Sequence, residues 1–334
     1  MKRIAILCPG RGSYTDKTLR SLPERHAWID RAEVLRREYG LPSIFEMDRA
    51  AKFDQKVHLA PENVSPLIYL ISMQDSAAAM QEHKCVCVAG NSMGWYTALA
   101  VAGALSFDDG FRLVQEMSLL QKEQQEAAGG GGQIIFPLVD ESWVRVADRV
   151  HAVEAALDGA RGEAFRSIDL GGYAVLAGSE AGIAHLLKVL PKVNIGSTMY
   201  PFRLMQHGPY HTQLVQSVSD KARVRLAGLA FTKPRVTLVD GRGVRFTPWS
   251  TDVAALREYT LGAQVVTPFD FALSVRVALR EHGPDHLLCP GPGNSLGGVC
   301  GQIAVGEGWR GVHTKDDFQR VQDSGNPILV SMRR

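Results

Sequence analysis

A serine at the end of an apolar run carries the clearest chemistry in this sequence. Gly90, Ser92 and Gly94 fit the pattern G-x-S-x-G. In such a turn the glycines relieve crowding, the serine hydroxyl is exposed, and a following helix offers unpaired N–H groups to an oxyanion. A serine becomes a good nucleophile only when a base takes its proton, so a histidine would have to complete the site. An ordinary surface turn is the other interpretation of so short a pattern.

The elements around the serine favour a nucleophile over a surface turn. Residues 85–89 form a short apolar run without helical spacing, which predicts a buried strand. The composition from Met93 to residue 100 suits a helix that begins directly after the serine. Strand, turn and helix therefore follow one another in the order that the G-x-S-x-G chemistry needs.

Composition excludes several classes of protein. The chain has 334 residues, of which 45% are hydrophobic, so it can bury a large core. A formal net charge of +2 gives no sign of a nucleic-acid-binding protein. The five cysteines lie mostly in apolar runs, without the spacing of zinc ligands, which predicts reduced thiols and no metal site. No apolar run approaches the ~18 residues of a membrane span, so we expect a cytoplasmic protein that does not enter membranes.

Several segments resemble the malonyl-CoA:acyl-carrier-protein transacylase family, which includes the acyltransferase domains of polyketide synthases. Residues 90–106 are similar to that family's GHSLGE segment and the AAL-VAAGALS stretch after it. Residues 9–14 resemble its opening FPGQGSQ, and residues 208–211 occupy the place of the motif that ends in its catalytic histidine. Residues 264–269 resemble its Q-L-x-x-P segment. The resemblance runs in the same order from residue 9 to residue 296.

The resemblance implies a role for each matching residue. Ser92 would be the nucleophile and His211 its base, with His207 the other candidate in the same loop. The backbone N–H groups of Arg11 and Met93 would form the oxyanion hole, and the backbone carbonyl of Gln264 would orient the histidine. No cofactor is implied, because the phosphopantetheine arm belongs to the substrates.

The implied fold is an α/β-hydrolase-like large domain with a parallel sheet and an inserted ferredoxin-like subdomain. Four glycines at 129–132 cannot hold a helix, which predicts a domain boundary there. Strands at 133–139, 164–170, 173–177 and 198–204, with helices at 141–157 and 179–190, give the order βαββαβ. We expect a catalytic domain of residues 1–128 and 205–334 and a subdomain of residues 129–204. A helix opened by Pro66 is also predicted, and the tail after residue 306 is left unassigned.

The acyl pocket departs from the family pattern. Met117 stands where malonyl-specific members keep an arginine, Asn91 replaces a histidine, and Trp95 replaces a glutamate; Gly208 and Tyr210 complete the expected pocket. Without a guanidinium a buried malonyl carboxylate would be unpaired, which is costly. The sequence therefore predicts a neutral or unusual acyl group, with the side chain of Arg11 as a rival cation that would restore carboxylate binding.

The sequence predicts an acyltransferase of fatty acid or polyketide biosynthesis, which moves an acyl group from acyl-CoA to an acyl carrier protein through an acyl-serine. A carrier-protein thioester hydrolase of the same fold and a malonyl transacylase using Arg11 stay open. A non-enzymatic carrier-binding module is disfavoured, because Ser92 and His211 are both present. Arg145, Arg149 and Lys188 are candidates to guide an acidic carrier protein into the groove between the two domains.

Overall fold

The computed structural model describes residues 1–127 and 130–333. Within these residues the strands are β1 (Arg3–Cys8), β2 (Lys84–Gly90), β3 (Gly132–Pro137), β4 (Ala164–Asp169), β5 (Tyr173–Gly178), β6 (Val193–Ile195), β7 (Thr198–Tyr200), β8 (Phe202–Arg203), β9 (Leu238–Val239), β10 (Arg245–Phe246), β11 (Phe269–Asp270), β12 (His286–Cys289) and β13 (Leu329–Ser331). The α-helices are α1 (Ala27–Glu38), α2 (Ile44–Asp48), α3 (Gln55–His58), α4 (Pro61–Glu82), α5 (Gly94–Val101), α6 (Phe107–Ala127), α7 (Ala147–Gly159), α8 (Glu180–Val189), α9 (Gln216–Arg225), α10 (Val253–Leu261), α11 (Ala263–Val266), α12 (Phe271–His282), α13 (Gly297–Gly306) and α14 (Lys315–Gln322).

The larger sheet has the strand order β10-β9-β2-β1-β12-β13. Neighbouring strands in this sheet are parallel except for the antiparallel pair β9 and β10. The central strand β1 is buried along residues 4–8, as expected for a parallel strand covered on both faces by helices. Cys8 pairs with Gly90, so β1 and β2 end side by side. The loop after β1 and the turn that contains Ser92 are thereby brought together at one edge of the sheet.

The smaller sheet has the order β8-β3-β5-β4, extended at its β4 edge by β11. Adjacent strands among these four are antiparallel. Strands β3, β4, β5 and β8 with helices α7 and α8 give the ferredoxin-like βαββαβ arrangement. The predicted fold class, a parallel α/β sheet with a ferredoxin-like sheet beside it, is therefore confirmed. The predicted boundary at residues 128 and 129 lies outside the described residues.

Two predicted elements of the smaller sheet are shorter or broken in the structure. Helix α7 begins at Ala147, not at 141, because the Asp140 carboxylate accepts hydrogen bonds from the N–H groups of Ser142 and Val144 and holds a turn there. The strand predicted at 198–204 is divided into β7 and β8 at Pro201, which has no N–H to donate to a ladder.

Helix α4 begins earlier than predicted and contains a proline in its interior. It opens at Pro61, and Pro66 lies inside it. Pro66 leaves the carbonyl of Glu62, four residues before it, without its helical donor. That carbonyl instead accepts hydrogen bonds from the side chains of Arg36 and Gln115, the latter at 3.1 Å. The interior proline is tolerated because the carbonyl it frees is satisfied from two other helices.

Candidate active site

Ser92 lies in a tight turn between β2 and α5. Its φ of +55° is in the left-handed region, which a non-glycine residue seldom adopts. The flanking glycines are required sterically, since a Cβ at Gly90 would lie 2.1 Å from the Gly94 carbonyl oxygen. A Cβ at Gly94 would lie 2.2 Å from the carbonyl oxygen of Cys8. The two close-packed glycines and the left-handed backbone of Ser92 together hold the serine hydroxyl beyond the end of β2, where it is exposed.

A histidine contacts the serine hydroxyl directly. The Oγ of Ser92 lies 2.8 Å from Nε2 of His211, and Nδ1 of His211 lies 2.7 Å from the backbone carbonyl oxygen of Gln264. A carbonyl only accepts, so Nδ1 carries the proton and Nε2 is left free to accept the serine hydrogen. Burial lowers the pKa of His211 to about 4. The imidazole is therefore neutral at pH 7, the state that a general base needs.

The side chain of Gln264 makes a second connection that the sequence did not indicate. Its Nε2 donates to the backbone carbonyl of Ser92 at 3.1 Å, and its Oε1 accepts from the hydroxyl of Tyr96 at 2.8 Å. Gln264 is buried, and its backbone carbonyl contacts His211 at the same time. One residue thus ties the serine turn to the histidine and fixes their separation.

The loop after β1 packs against the serine turn. A Cβ at Gly10 would lie 3.1 Å from the Asn91 carbonyl oxygen and 3.9 Å from Cβ of Ser92. Within residues 1–127 and 130–333, the N–H groups of Arg11 and Met93 donate to no backbone carbonyl. The oxyanion hole that the resemblance implies for these two N–H groups stays a prediction.

Ser92 and His211 open onto a cavity of about 450 Å³ between the two sheets. The loop after β1, the turn that contains Ser92 and helices α6 and α13 form one side. Strands β3, β4 and β5 and the segment before His211 form the other side. Of the predicted pocket residues, the cavity wall includes Asn91, Met117 and Tyr210. The hydroxyl of Tyr210 points at the Met117 carbonyl oxygen over 3.5 Å, so the two residues form one patch of the wall.

Two predicted pocket residues lie elsewhere. Trp95 is fully buried on the far side of α5, where its Nε1 donates to Thr260 at 3.1 Å and its ring packs edge-on against Tyr259. Gly208 is not part of the cavity wall, and a Cβ there would face Oε1 of Gln124 at 3.3 Å. The expectation that Trp95 and Gly208 shape the acyl pocket is corrected accordingly.

The side chain of Arg11 lines the same cavity. Its Nη2 donates to the Gln206 carbonyl oxygen at 2.9 Å, whereas its buried Nη1 has no partner among the described residues. Burial lowers the pKa of this guanidinium to about 10, an effect that Tyr210 partly offsets. In the described part of the chain no carboxylate forms an ion pair with Arg11. The Arg11 guanidinium therefore has no negatively charged partner among the described residues.

Two polar residues beside Arg11 were missed as wall residues in the sequence. Gln121 donates to the same Gln206 carbonyl at 3.1 Å and lines the cavity. His207 also lines it, with Nδ1 2.7 Å from the Met205 carbonyl oxygen. Burial and the adjacent Arg11 charge lower the pKa of His207 to about 3, so this histidine is neutral. The histidine that contacts the Ser92 hydroxyl is His211 and not His207.

Comparisons with known proteins find relatives that share one name. No family model matches the chain. The malonyl CoA-acyl carrier protein transacylase of Salmonella typhimurium is 28% identical over 218 residues, which are 65% of this chain and 65% of that relative. The transacylase of Escherichia coli K12 is 24% identical over 310 residues, 91% of this chain and 93% of its own. These relatives support the malonyl-CoA:acyl-carrier-protein transacylase family.

Solved structures share the transacylase fold. The acyl-carrier-protein S-malonyltransferase of Burkholderia pseudomallei 1710b superposes with a TM-score of 0.74 at 23% identity, covering 99% of this chain and 96% of that one. A malonyl-transacylase in complex with its type II polyketide synthase acyl carrier protein superposes with a TM-score of 0.75 at 19% identity, covering 100% and 96%. In the part of this chain that the structure describes, no helix is long and apolar enough to span a membrane.

Proposed function

We propose that this chain is an acyltransferase that moves an acyl group from coenzyme A to an acyl carrier protein through an acyl-Ser92 intermediate. The observation that carries the proposal is the contact of 2.8 Å between Ser92 Oγ and Nε2 of His211, with Nδ1 held by the Gln264 carbonyl. The relatives named above, and a solved carrier-protein complex of the same fold, support transfer in fatty acid or polyketide biosynthesis.

The proposed reaction has two halves, acylation of Ser92 and transfer of the acyl group to the acceptor thiol. Nε2 of His211 takes the proton of Ser92 as Oγ attacks the thioester carbonyl, and the N–H groups of Arg11 and Met93 hold the oxyanion. The carbon–sulfur bond then breaks, and the imidazolium returns the proton to the departing thiolate. In the second half His211 takes the proton of the acceptor thiol, whose sulfur attacks the acyl-serine. The Ser92 oxygen leaves and recovers the proton.

The acyl group follows from the charge in the cavity. Met117 alone predicts a neutral acyl group, but the comparisons do not support that expectation, since the relatives are named for malonyl transfer. Arg11 supplies the missing cation, because its Nη1 is buried, unpartnered in the described residues and part of the cavity wall. We therefore assign the substrate as malonyl, with its free carboxylate on Arg11 in place of an arginine at 117.

A neutral acyl chain would leave this arrangement unfavourable. The buried Nη1 of Arg11 loses hydration without gaining a partner in the described residues, and a neutral acyl group would shield it further from water. A carboxylate would supply the opposite charge and accept from Nη1. The neighbouring Gln121 amide and the neutral His207 bring no competing negative charge to this end of the cavity.

The acyl carrier protein is the proposed acceptor. Arg145 and Lys188 are exposed on the smaller sheet's side of the molecule, and Arg149 is partly buried with Nη1 donating to the Val139 carbonyl. We retain Arg145 and Lys188 as guides for an acidic carrier-protein helix, since exposed charges steer association more than they add to affinity. Arg149 is already engaged within the chain.

Intact-mass analysis tests the proposed function. The protein is mixed with malonyl-CoA and then with a phosphopantetheinylated acyl carrier protein, and the masses of both are followed. We expect a malonyl increment on the wild type that moves to the carrier protein and never appears on Ser92→Ala. An increment retained by Ser92→Ala would overturn the nucleophile, and release as free malonate in the presence of carrier protein would establish the hydrolase instead.

A further inference from the structure

The carbonyl group directly before His211 is held by two side chains of the smaller sheet. The Oγ of Ser167, on β4, donates to the Tyr210 carbonyl oxygen at 2.9 Å. The Nε2 of Gln133, on β3, donates to the Ser167 hydroxyl at 2.7 Å and reaches the same carbonyl oxygen at 3.4 Å. Ser167 and Gln133 are both buried. Two strands of the smaller sheet therefore converge on one carbonyl of the segment that carries the histidine.

The direction of each of these hydrogen bonds follows from the chemistry of the groups. A carbonyl oxygen only accepts, so the single hydroxyl hydrogen of Ser167 points at Tyr210. The Ser167 oxygen must then accept from Gln133, which assigns the amide nitrogen of Gln133 to this side. Every donor in this arrangement thus has an acceptor, and the arrangement ends on the Tyr210 carbonyl.

The peptide unit between Tyr210 and His211 is held at both of its polar atoms. Its carbonyl oxygen is bound by the smaller sheet, and its N–H donates to the Val265 carbonyl at 2.8 Å. A peptide unit is planar, so hydrogen bonds at both atoms fix the orientation of the plane. His211 follows with a φ of +60°, a left-handed backbone that persists in a non-glycine residue only where its surroundings impose it.

The orientation of this peptide influences where the imidazole lies. The ring is joined to the peptide only through Cα and Cβ, and its Nε2 must stay 2.8 Å from Ser92 Oγ. The carbonyls of Gln264 and Val265 support the histidine from α11, and the smaller sheet supports the preceding carbonyl. Displacement of a reacting group by about 1 Å can lower a rate roughly a hundredfold.

We propose that Gln133 and Ser167 are positioning residues for His211. They act through the Tyr210 carbonyl, and the smaller sheet thereby contributes to the catalytic step as well as to the cavity wall. The inference rests on the proposed function, in which His211 is the base that takes the proton of Ser92.

Removal of the Ser167 hydroxyl tests this role, because Gln133 borders the cavity and Ser167 does not. We expect Ser167→Ala to lower the maximal rate of Ser92 acylation by malonyl-CoA roughly ten- to a hundredfold. The half-saturating concentration should stay within about twofold, because the thioester site is intact. In a His211→Ala background the same substitution should change the residual rate less than about twofold, since no base is left to misplace.

Two results would overturn the inference. One is an equal loss of rate in both backgrounds, which would show a general structural effect. The other is an unchanged rate when His211 is present. Ser274→Ala is the matched control and should stay near the wild-type rate, since Ser274 is also fully buried and its Oγ donates to the Asp240 carbonyl at 2.9 Å. If Ser167→Ala does not fold, Gln133→Leu takes its place in the same cycle.

A second reagent separates this inference from the proposed function. Phenylmethylsulfonyl fluoride modifies a serine that an adjacent base activates, and its reaction needs no recognition of an acyl-CoA. The same pairs of variants are compared with this reagent by intact mass, and the same pattern of rates is expected. A wild type that the reagent modifies and malonyl-CoA does not acylate would overturn the proposed function, and the reagent's rates would still decide the role of Ser167.

Discussion

Replacing Arg11 should change the acyl preference of the enzyme. Burial lowers the pKa of Arg11 to about 10, which at about 1.4 kcal/mol for each pKa unit is a cost of about 3 kcal/mol for the charged form. A bound carboxylate would offset this cost, and breaking such a buried pair from one side typically costs about 2–5 kcal/mol. We therefore expect Arg11→Gln to lower malonyl loading roughly a hundred- to a thousandfold. Acetyl loading should fall much less.

The assay is competition between equimolar malonyl-CoA and acetyl-CoA for Ser92. The measured quantity is the ratio of malonyl-enzyme to acetyl-enzyme in the intact-mass spectrum. Substitution at 11 leaves the backbone N–H of the expected oxyanion hole in place, so the ratio reports the side chain. Arg11→Lys keeps a charge without the forked donor geometry and should give an intermediate ratio.

A second substitution tests the position of the charge. Met117 lines the same cavity and is 3% exposed. Adding Met117→Arg to Arg11→Gln should return much of the malonyl preference, because it places a guanidinium in the same cavity from α6. A wild type that prefers acetyl, or an Arg11→Gln variant with an unchanged ratio, would refute the assignment and restore the neutral-acyl interpretation.

The other predictions concern the catalytic pair, its pH dependence and the serine turn. His211→Ala should lower Ser92 acylation by about two to four powers of ten with an unchanged circular dichroism spectrum, and the reverse result, with His207→Ala inactive, would exchange the two histidines. Because burial lowers the pKa of His211 to about 4, the acid limb of acylation should lie near pH 4 and not near 6.5. The unfolded state binds the proton first, so the free energy of unfolding in urea should fall as the pH drops from 6.5 towards 4; a flat profile would contradict this sign. Gly94→Ala should abolish soluble folded protein, since its Cβ would meet the Cys8 carbonyl at 2.2 Å, whereas Gly228→Ala, which meets nothing within 4 Å, should retain the wild-type melting temperature.

Local patterns explain what could be predicted of the site. Ser92 is marked by a five-residue motif between a strand and a helix, and the resemblance placed His211 and Gln264 on segments that the fold does bring to it. Trp95 shows the limit of such reasoning. It follows the serine by three positions, but the turn of α5 directs it to α10, and the next residue, Tyr96, faces the cavity instead.

Contacts between distant segments explain what was missed. The packing of the Gln302 amide oxygen against Gly172 brings together two residues that are far apart in sequence. The state of the Arg11 side chain likewise depends on the Gln206 carbonyl. The last strand, β13, is short and joins the parallel sheet beside β12, where only pairing with an existing edge makes three residues a strand. Periodicity in the sequence carries no information on these approaches.

The pairing of β11 with β4 limits how far the smaller sheet can be treated as an exchangeable module. Phe269 and Asp270 follow Gln264 closely in sequence, yet they pair with Ile168 and Asp169. A chimaera that swaps residues 129–204 alone would have to reproduce this ladder with a foreign edge strand. If the register failed, β4 would present an open edge to other chains, and the segment that follows Gln264 would lose its pairing with the smaller sheet. Engineering of acyl specificity in this protein therefore belongs in the cavity wall, with the segment from 264 to 270 kept together with any transplanted sheet.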